Sequence, residues 1–272
     1  MLEPQERLEA ARLAAASCPG KQGIGRLGEK QLHACLKYYY EPRPAHHEIP
    51  VQGFVADICN ESGIIEIQTG SFDKLRRKLE CFLEQSLVTL VYPLPHRKWL
   101  RWIDPQTGEI SEARKSPKTG QPAEACFELG KIQSLLGRKN LHIRLLLLDM
   151  EEHRYLNGWS RDGKKGSTRA ERIPLSVVEE ISLDKPMDYL QLLPAGLPDP
   201  FTRAELAKLT RLSPKRNQYL LRCLLKLGLL RQEGKRGRSY LYFIEKKAAT
   251  AAEKERGQSE NDKSIEETQK AL

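Results

Sequence analysis

Two runs, "LVTLVYPL" at 87–94 and "LHIRLLLLDM" at 141–150, limit what this chain can fold into. Successive strand residues point to opposite faces of a sheet, so a run that is apolar at adjacent positions needs cover on both faces. The first run reads as a strand buried on both faces, and the second as a central or penultimate strand. Neither approaches the roughly 20 residues of a membrane helix.

Helical and extended patterns alternate around these strands. Residues 4–17 read as a helix with Leu8 and Leu13 among alanines, and 17–25 as a loop. Residues 26–40 carry Leu27, Leu32, Cys35, Leu36 and Tyr39 on one helical face, stopped by Pro42 and Pro44. A strand is expected over 48–59, a turn at 60–63, a second strand at 64–68 and an amphipathic helix at 71–86. Further on, the patterns predict a hairpin at 99–110 turning at Asp104–Gly108, a basic loop at 114–122, a helix at 123–136 and a mobile loop at 157–172.

The formal charge of +9 is unevenly placed. Residues 201–247 hold 13 Lys and Arg against 3 Asp and Glu, whereas residues 1–200 are near neutral at +1 and residues 248–272 stand at −2. A basic segment on a neutral body points to a polyanionic partner. The six cysteines (Cys18, Cys35, Cys59, Cys81, Cys126, Cys223) are scattered without a CxxC pair, which suits reduced thiols in the cytoplasm. The charged N-terminal stretch lacks the apolar segment of a secretory signal.

The stretch "VADICNESGIIEIQTG" raises a specific question, because Asp57, Glu66 and Gln68 interrupt strands that look buried. Glu66 and Gln68 share a face, with Ile65 and Ile67 turned to the core on the other. A hairpin through Asn60–Gly63 returns Glu66 beside Asp57. Two converging carboxylates repel unless a cation neutralises them, and their hard oxygens suit Mg²⁺ or Mn²⁺.

This order of elements resembles the PD-(D/E)XK nuclease superfamily, the restriction-endonuclease-like fold. Asp57 matches the family's first acid, Glu66 the second, and Gln68 the position of the usual lysine. Glu29 in "LGEKQLH" matches the extra acid that many members place on the first helix. The resemblance covers roughly residues 24–150. It implies an α/β (α+β) core, a central mixed sheet flanked by helices, over residues 24–183. It also implies a catalytic set of Asp57, Glu66, Gln68 and Glu29, with the metal on Asp57, Glu66 and the Ile67 carbonyl. Gln68 departs from the pattern: it hydrogen-bonds and orients but carries no charge. Lys74 and Lys78, four residues apart on the next helix, are candidates for a phosphate track or a solvated face, and Arg114, Lys115 and Lys118 for backbone phosphate contacts. His46 and His47 read as a solvent-exposed loop pair, and Trp99, Trp102 and Trp159 as packing residues.

Beyond residue 184 the pattern changes to short helices. In "FTRAELAKLT", Thr202 and Glu205 form a capping box. In "SPKRNQYLLRCLLKLG", Ser213 caps, Pro214 opens and Gly228 follows the end of a helix. Leu220, Leu221, Leu224, Leu225 and Leu227 make its buried side. Residues 184–247 resemble a winged helix-turn-helix domain. By that resemblance Lys215, Gln218, Arg222 and Lys226 face the DNA major groove, and Lys235, Arg236 and Arg238 form a wing on phosphates. Residues 1–23 are expected to be a helix and linker, and 248–272 a disordered tail. The expected function is a metal-dependent deoxyribonuclease with DNA as partner and no membrane. Concerted cutting of both strands would require a homodimer. The alternative is a non-catalytic DNA-binding protein or regulator with a degenerate nuclease-like domain.

Overall fold

The computed structural model describes residues 2–17, 31–158 and 167–245. Glu29, Trp159, Cys18 and the expected C-terminal tail lie outside the described residues. The chain divides into two compact units between Asp184 and Lys185.

The first unit is a mixed sheet flanked by helices. Its helices are α1 (Pro4–Ala16), α2 (Gln31–Tyr40), α3 (Leu75–Leu83) and the single turn α4 (Cys126–Leu129). Its strands are β1 (His47–Val51), β2 (Phe54–Asn60), β3 (Gly63–Ile67), β4 (Val88–Ile103), β5 (Arg114–Lys115), β6 (Leu141–Tyr155) and β7 (Thr168–Leu183). Their order is β1-β2-β3-β4-β6-β7, with β5 paired to β4. The β3–β4 and β4–β6 pairs are parallel, and the others are antiparallel. The two apolar runs thus become adjacent inner strands, and Val88, Leu90, Val91, Ile143, Leu145 and Leu146 are fully buried. One core joins Leu8, Leu32, Cys35, Leu36 and Tyr39 of α1 and α2 to Ile58, Ile67, Val91 and Leu146 of the sheet.

Several expected elements differ. The single strand at 48–59 is a hairpin, turning at Gln52 and Gly53, both with positive φ. The helix at 71–86 begins only at Leu75 and ends at Leu83. The helix at 123–136 breaks into 3-10 and α turns. The hairpin at 99–110 keeps its turn, with Gly108 N–H donating to the Asp104 carbonyl. Its first arm, however, is the end of β4, a 16-residue strand that pairs with β6 as far as Ile103↔Tyr155 through one register shift between Pro95 and Lys98. Arg114 and Lys115 of the expected basic loop pair with Leu100 and Trp99. The expected loop at 157–172 ends earlier, since Thr168 already begins β7. That strand escapes a period-2 reading because its register against β6 shifts three times. On α1, Leu8 is fully buried while Leu13 is 71 % exposed. His46 and His47 are half-buried, with Nδ1 of His46 3.1 Å from Glu41 Oε2 and Nε2 of His47 2.7 Å from the Glu41 carbonyl.

The second unit holds a 3-10 segment (Pro186–Leu192), β8 (Phe201–Thr202), α5 (Arg203–Thr210), α6 (Pro214–Lys226), β9 (Leu230–Arg236) and β10 (Ser239–Ile244), with the strands ordered β8-β10-β9. The first of the short helices expected beyond residue 184 is thus a 3-10 segment. The capping box forms: Glu205 N–H donates to Thr202 Oγ1, and Thr202 N–H donates to Glu205 Oε2 at 2.6 Å. Ser213 caps α6 by accepting from Arg216 N–H. Leu220, Leu221 and Leu224 are buried, while Leu225 and Leu227 are only half-buried at the helix end. Buried Asn217 donates to the Leu212 carbonyl at 3.0 Å and accepts from Thr210 Oγ1 at 2.8 Å, tying the two helices together.

Candidate functional site

The β2–β3 hairpin pairs Asn60 with Gly63, Cys59 with Ile64 and Ile58 with Ile65, and there the pairing stops. The next residues in this register are Asp57 and Glu66. Ile67 belongs to the core beneath α1 and α2, and Ile65 packs against it, so Glu66 turns to the opposite face.

At this fork the Asp57 carboxylate takes the place of a strand partner. Its Oδ2 accepts from Ile67 N–H at 2.7 Å and lies 3.3 Å from Nε2 of His33 on α2. Burial works against its charge, but the His33 contact, the Ile67 amide and the Lys78 ammonium outweigh burial and hold the carboxyl below its ordinary range. Glu66 is 3 % exposed. Its Oε1 is ion-paired with Lys78 on α3, while its Oε2 is buried without a hydrogen-bond partner. Burial first, and then the Asp57 charge, push this carboxyl up to about 7 despite Lys78. One carboxyl is thus held ionised and its neighbour sits at the edge of ionisation, the divergence by which paired acids take different roles.

Gln68 follows β3, its N–H donating to the Val91 carbonyl at 2.9 Å and its side-chain Nε2 to the Ser71 carbonyl at 2.6 Å. Lys131 fixes this loop through Ser71 Oγ at 2.5 Å, Asp73 at 3.0 Å and Glu128 at 3.0 Å. Lys78 therefore reaches the site itself rather than a solvated helix face. Lys74 is the residue before the first turn of α3 and is exposed. The sequence signals for Lys78 and His33 were weak: one is part of a basic run, and the other is a lone histidine on an amphipathic helix.

The structure brings Asp57, Glu66 and the Ile67 backbone together with His33 and Lys78, and sets Gln68 beside them. Among the described residues no group of three or more His, Cys, Asp and Glu could hold a metal ion. The expected third acid, Glu29, lies outside the described residues. The donors at hand nonetheless fit a hard divalent ion in kind: two adjacent carboxylates, one with a buried oxygen lacking any partner.

In the second unit Lys215, Gln218, Arg222 and Lys226 are all exposed on α6, as are Lys235, Arg236 and Arg238 at the β9–β10 turn. Arg236 is 2.9 Å from Glu205, and Lys235 Nζ lies 4.8 Å from the centre of the half-exposed Tyr240 ring. Among the described residues no helix is long and apolar enough to cross a membrane.

Fold and site together define a mixed α/β domain with paired acids at the mouth of a strand fork, followed by a small basic unit. The chain belongs to the family described as Domain of unknown function (DUF8091), which matches residues 30–184. An "Uncharacterized protein" of Treponema pallidum (strain Nichols) is 29 % identical over 220 residues, 80 % of this chain and 86 % of that protein. That alignment is longer than the family match, so it takes in more than residues 30–184. No solved structure matches.

Proposed function

We propose that the first unit is a metal-dependent deoxyribonuclease of restriction-endonuclease-like arrangement, and that the second is a winged helix that holds duplex DNA. The observation that carries this reading is the meeting of Asp57 and Glu66 where β2 and β3 part, with Glu66 Oε2 buried and unpartnered. Asp57 and Glu66, with the Ile67 carbonyl and Glu29 as further candidates, would hold Mg²⁺ or Mn²⁺. Such an ion, when bound, activates a water and stabilises charge on a phosphoryl oxygen. Gln68 orients the attacking water. Lys78 supplies the positive charge that Gln68 lacks, reaching the same place from α3. His33 keeps Asp57 oriented and ionised.

The helix pair and β9–β10 hairpin of the second unit support the winged-helix reading, with Lys215, Gln218, Arg222 and Lys226 toward base edges and Lys235, Arg236 and Arg238 toward phosphates. We place the protein in the cytoplasm, where free thiols persist, because the five described cysteines are free. Cutting both strands together would call for a homodimer.

A second reading has its own support. Lys78 already pairs with Glu66, and His33 with Asp57, so the acids are partnered without an ion. On this reading the first unit is a degenerate nuclease fold in a non-catalytic DNA-binding protein or regulator. Plasmid digestion with Mg²⁺, Mn²⁺ or EDTA separates the two. The hydrolase reading expects metal-dependent cleavage by the wild type and none by a folded Asp57→Ala protein. Cleavage that survives this change rules out the assigned site.

A further inference from the structure

A second charged constellation lies on the long strands of the first unit. Glu152 on β6 is 2 % exposed. Lys98 Nζ from β4 lies 3.3 Å from its carboxylate, Arg154 Nε 2.6 Å and Arg169 Nε from β7 3.6 Å. Arg172 stands opposite Glu152 in the β6–β7 register. Its guanidinium donates to the Thr69 carbonyl at 2.6 Å. The neighbouring Glu171 accepts from the Gln31 backbone amide instead. Three cations therefore share one carboxylate, and the fourth, Arg172, stands beside them in the register.

The side chains of Lys98, Arg154 and Arg169 are 23 %, 22 % and 41 % exposed, so the surplus charge is only partly screened by water. Like charges gathered in a reduced dielectric repel one another and favour a multiply charged anion in their midst. Guanidinium forks match the oxygens of a phosphoryl group in shape as well as charge. Arg172 also links this cluster to Thr69, the residue after Gln68, so the cations adjoin the loop that leaves the Asp57–Glu66 fork.

We propose that Lys98, Arg154, Arg169 and Arg172 seat a backbone phosphate of the nucleic-acid strand, next to the phosphate presented at Asp57 and Glu66. The identity of the ligand rests on the hydrolase reading, while the anion seat itself rests on the four cations. Glu152 is the counter-charge that holds the cations in place when no strand is bound.

The test is binding of a labelled oligonucleotide to the full chain in EDTA across a salt series. Arg169→Gln and Arg172→Gln should each flatten the slope of log affinity against log salt, by up to the roughly 0.7–0.9 that one neutralised phosphate contributes. Arg169→Lys should keep the slope. Inorganic phosphate should compete with the oligonucleotide on the wild type and lose this effect in the double Gln variant. Thermal unfolding reports whether each variant folds, and the more exposed Arg169 keeps the test decisive if Arg172→Gln does not. Unchanged slopes in folded variants, with no stabilisation of the wild type by phosphate, overturn the seat. Phosphate that stabilises the wild type, with oligonucleotide slopes unaffected by either variant, overturns the nucleic-acid strand as ligand. If no metal supports cleavage yet the slopes flatten, the hydrolase reading falls and the seat stands. If cleavage requires Asp57 while the slopes do not change and phosphate does not stabilise the wild type, the seat falls and the hydrolase reading stands.

Discussion

At the scale of the residue, Glu66 is the group on which most turns. Its carboxyl sits at about 7 in the folded protein against an ordinary value of 4.5, so the folded chain binds that proton more tightly than the unfolded one. The resulting stabilisation is full below about 4.5 and is lost as pH rises through about 7. In metal-free buffer the wild type should therefore lose on the order of 2–3 kcal/mol relative to Glu66→Gln across that window, read by denaturant unfolding at fixed pH values. Asp57 has the opposite sign. Its carboxyl is depressed below 3.8, so its contribution is present above that value and fades only in stronger acid. Removing the ammonium with Lys78→Met leaves a buried carboxylate without its cation. The expected cost is about 3 kcal/mol at pH 8, shrinking as pH falls and Glu66 protonates. Gln68→Ala should slow cleavage more than it weakens metal binding, and Gln68→Lys should be tolerated. Unchanged turnover in Gln68→Ala would remove Gln68 from the mechanism.

At the scale of the element, the β2–β3 turn is a tight constraint on the site. Gly63 has φ +114°, and a Cβ built there would lie 2.4 Å from the Leu87 carbonyl oxygen, which accepts from Ile64 N–H at 2.9 Å. Gly63→Ala strains the backbone and forces β3 off β4, so about 2–3 kcal/mol of stability should be lost, and metal affinity with it if Glu66 shifts. Calorimetry and metal titration of the same protein check both. Much of this region was legible in the sequence. The turn at Asn60–Gly63 fixed which residues pair, and the alternation fixed which face Glu66 takes. Lys78 and His33 were not legible as partners, because nothing local says which turn of α3 or α2 passes over the fork. β7 was hidden for a related reason: Ala170, Ile181 and Leu183 are buried, but the register shifts break their alternation. In the second unit the capping box was readable because it is local, and Thr202→Ala should cost about 1 kcal/mol.

At the scale of the whole molecule, the charge asymmetry makes a separate claim. On the winged-helix reading, changing Lys235, Arg236 and Arg238 together to Ala in the full chain should flatten the salt dependence of duplex DNA binding by roughly 2–3 units, since each phosphate neutralised contributes about 0.9. Arg236 also pairs with Glu205, so its share should be the smallest of the three. The loss should be about equal on all sequences, whereas Gln218→Ala or Arg222→Ala should shift preference between sequences. A slope near zero for the wild type would mean that the basic unit serves another partner. By itself the sequence determined the inner strands, the capped helices of the second unit, the concentration of charge and the opposition of Asp57 and Glu66. These are encoded in runs, caps and short turns whose partners lie close along the chain. Only the tertiary structure decided that Lys78 neutralises Glu66, that His33 reaches Asp57, and that Lys98, Arg154 and Arg169 from β4, β6 and β7 close around Glu152. Apart from Arg154, which is 2 positions from Glu152, those contacts join residues 12 to 54 positions apart. They depend on helix placement and strand register across the sheet, which packing of the whole domain fixes and no local pattern records.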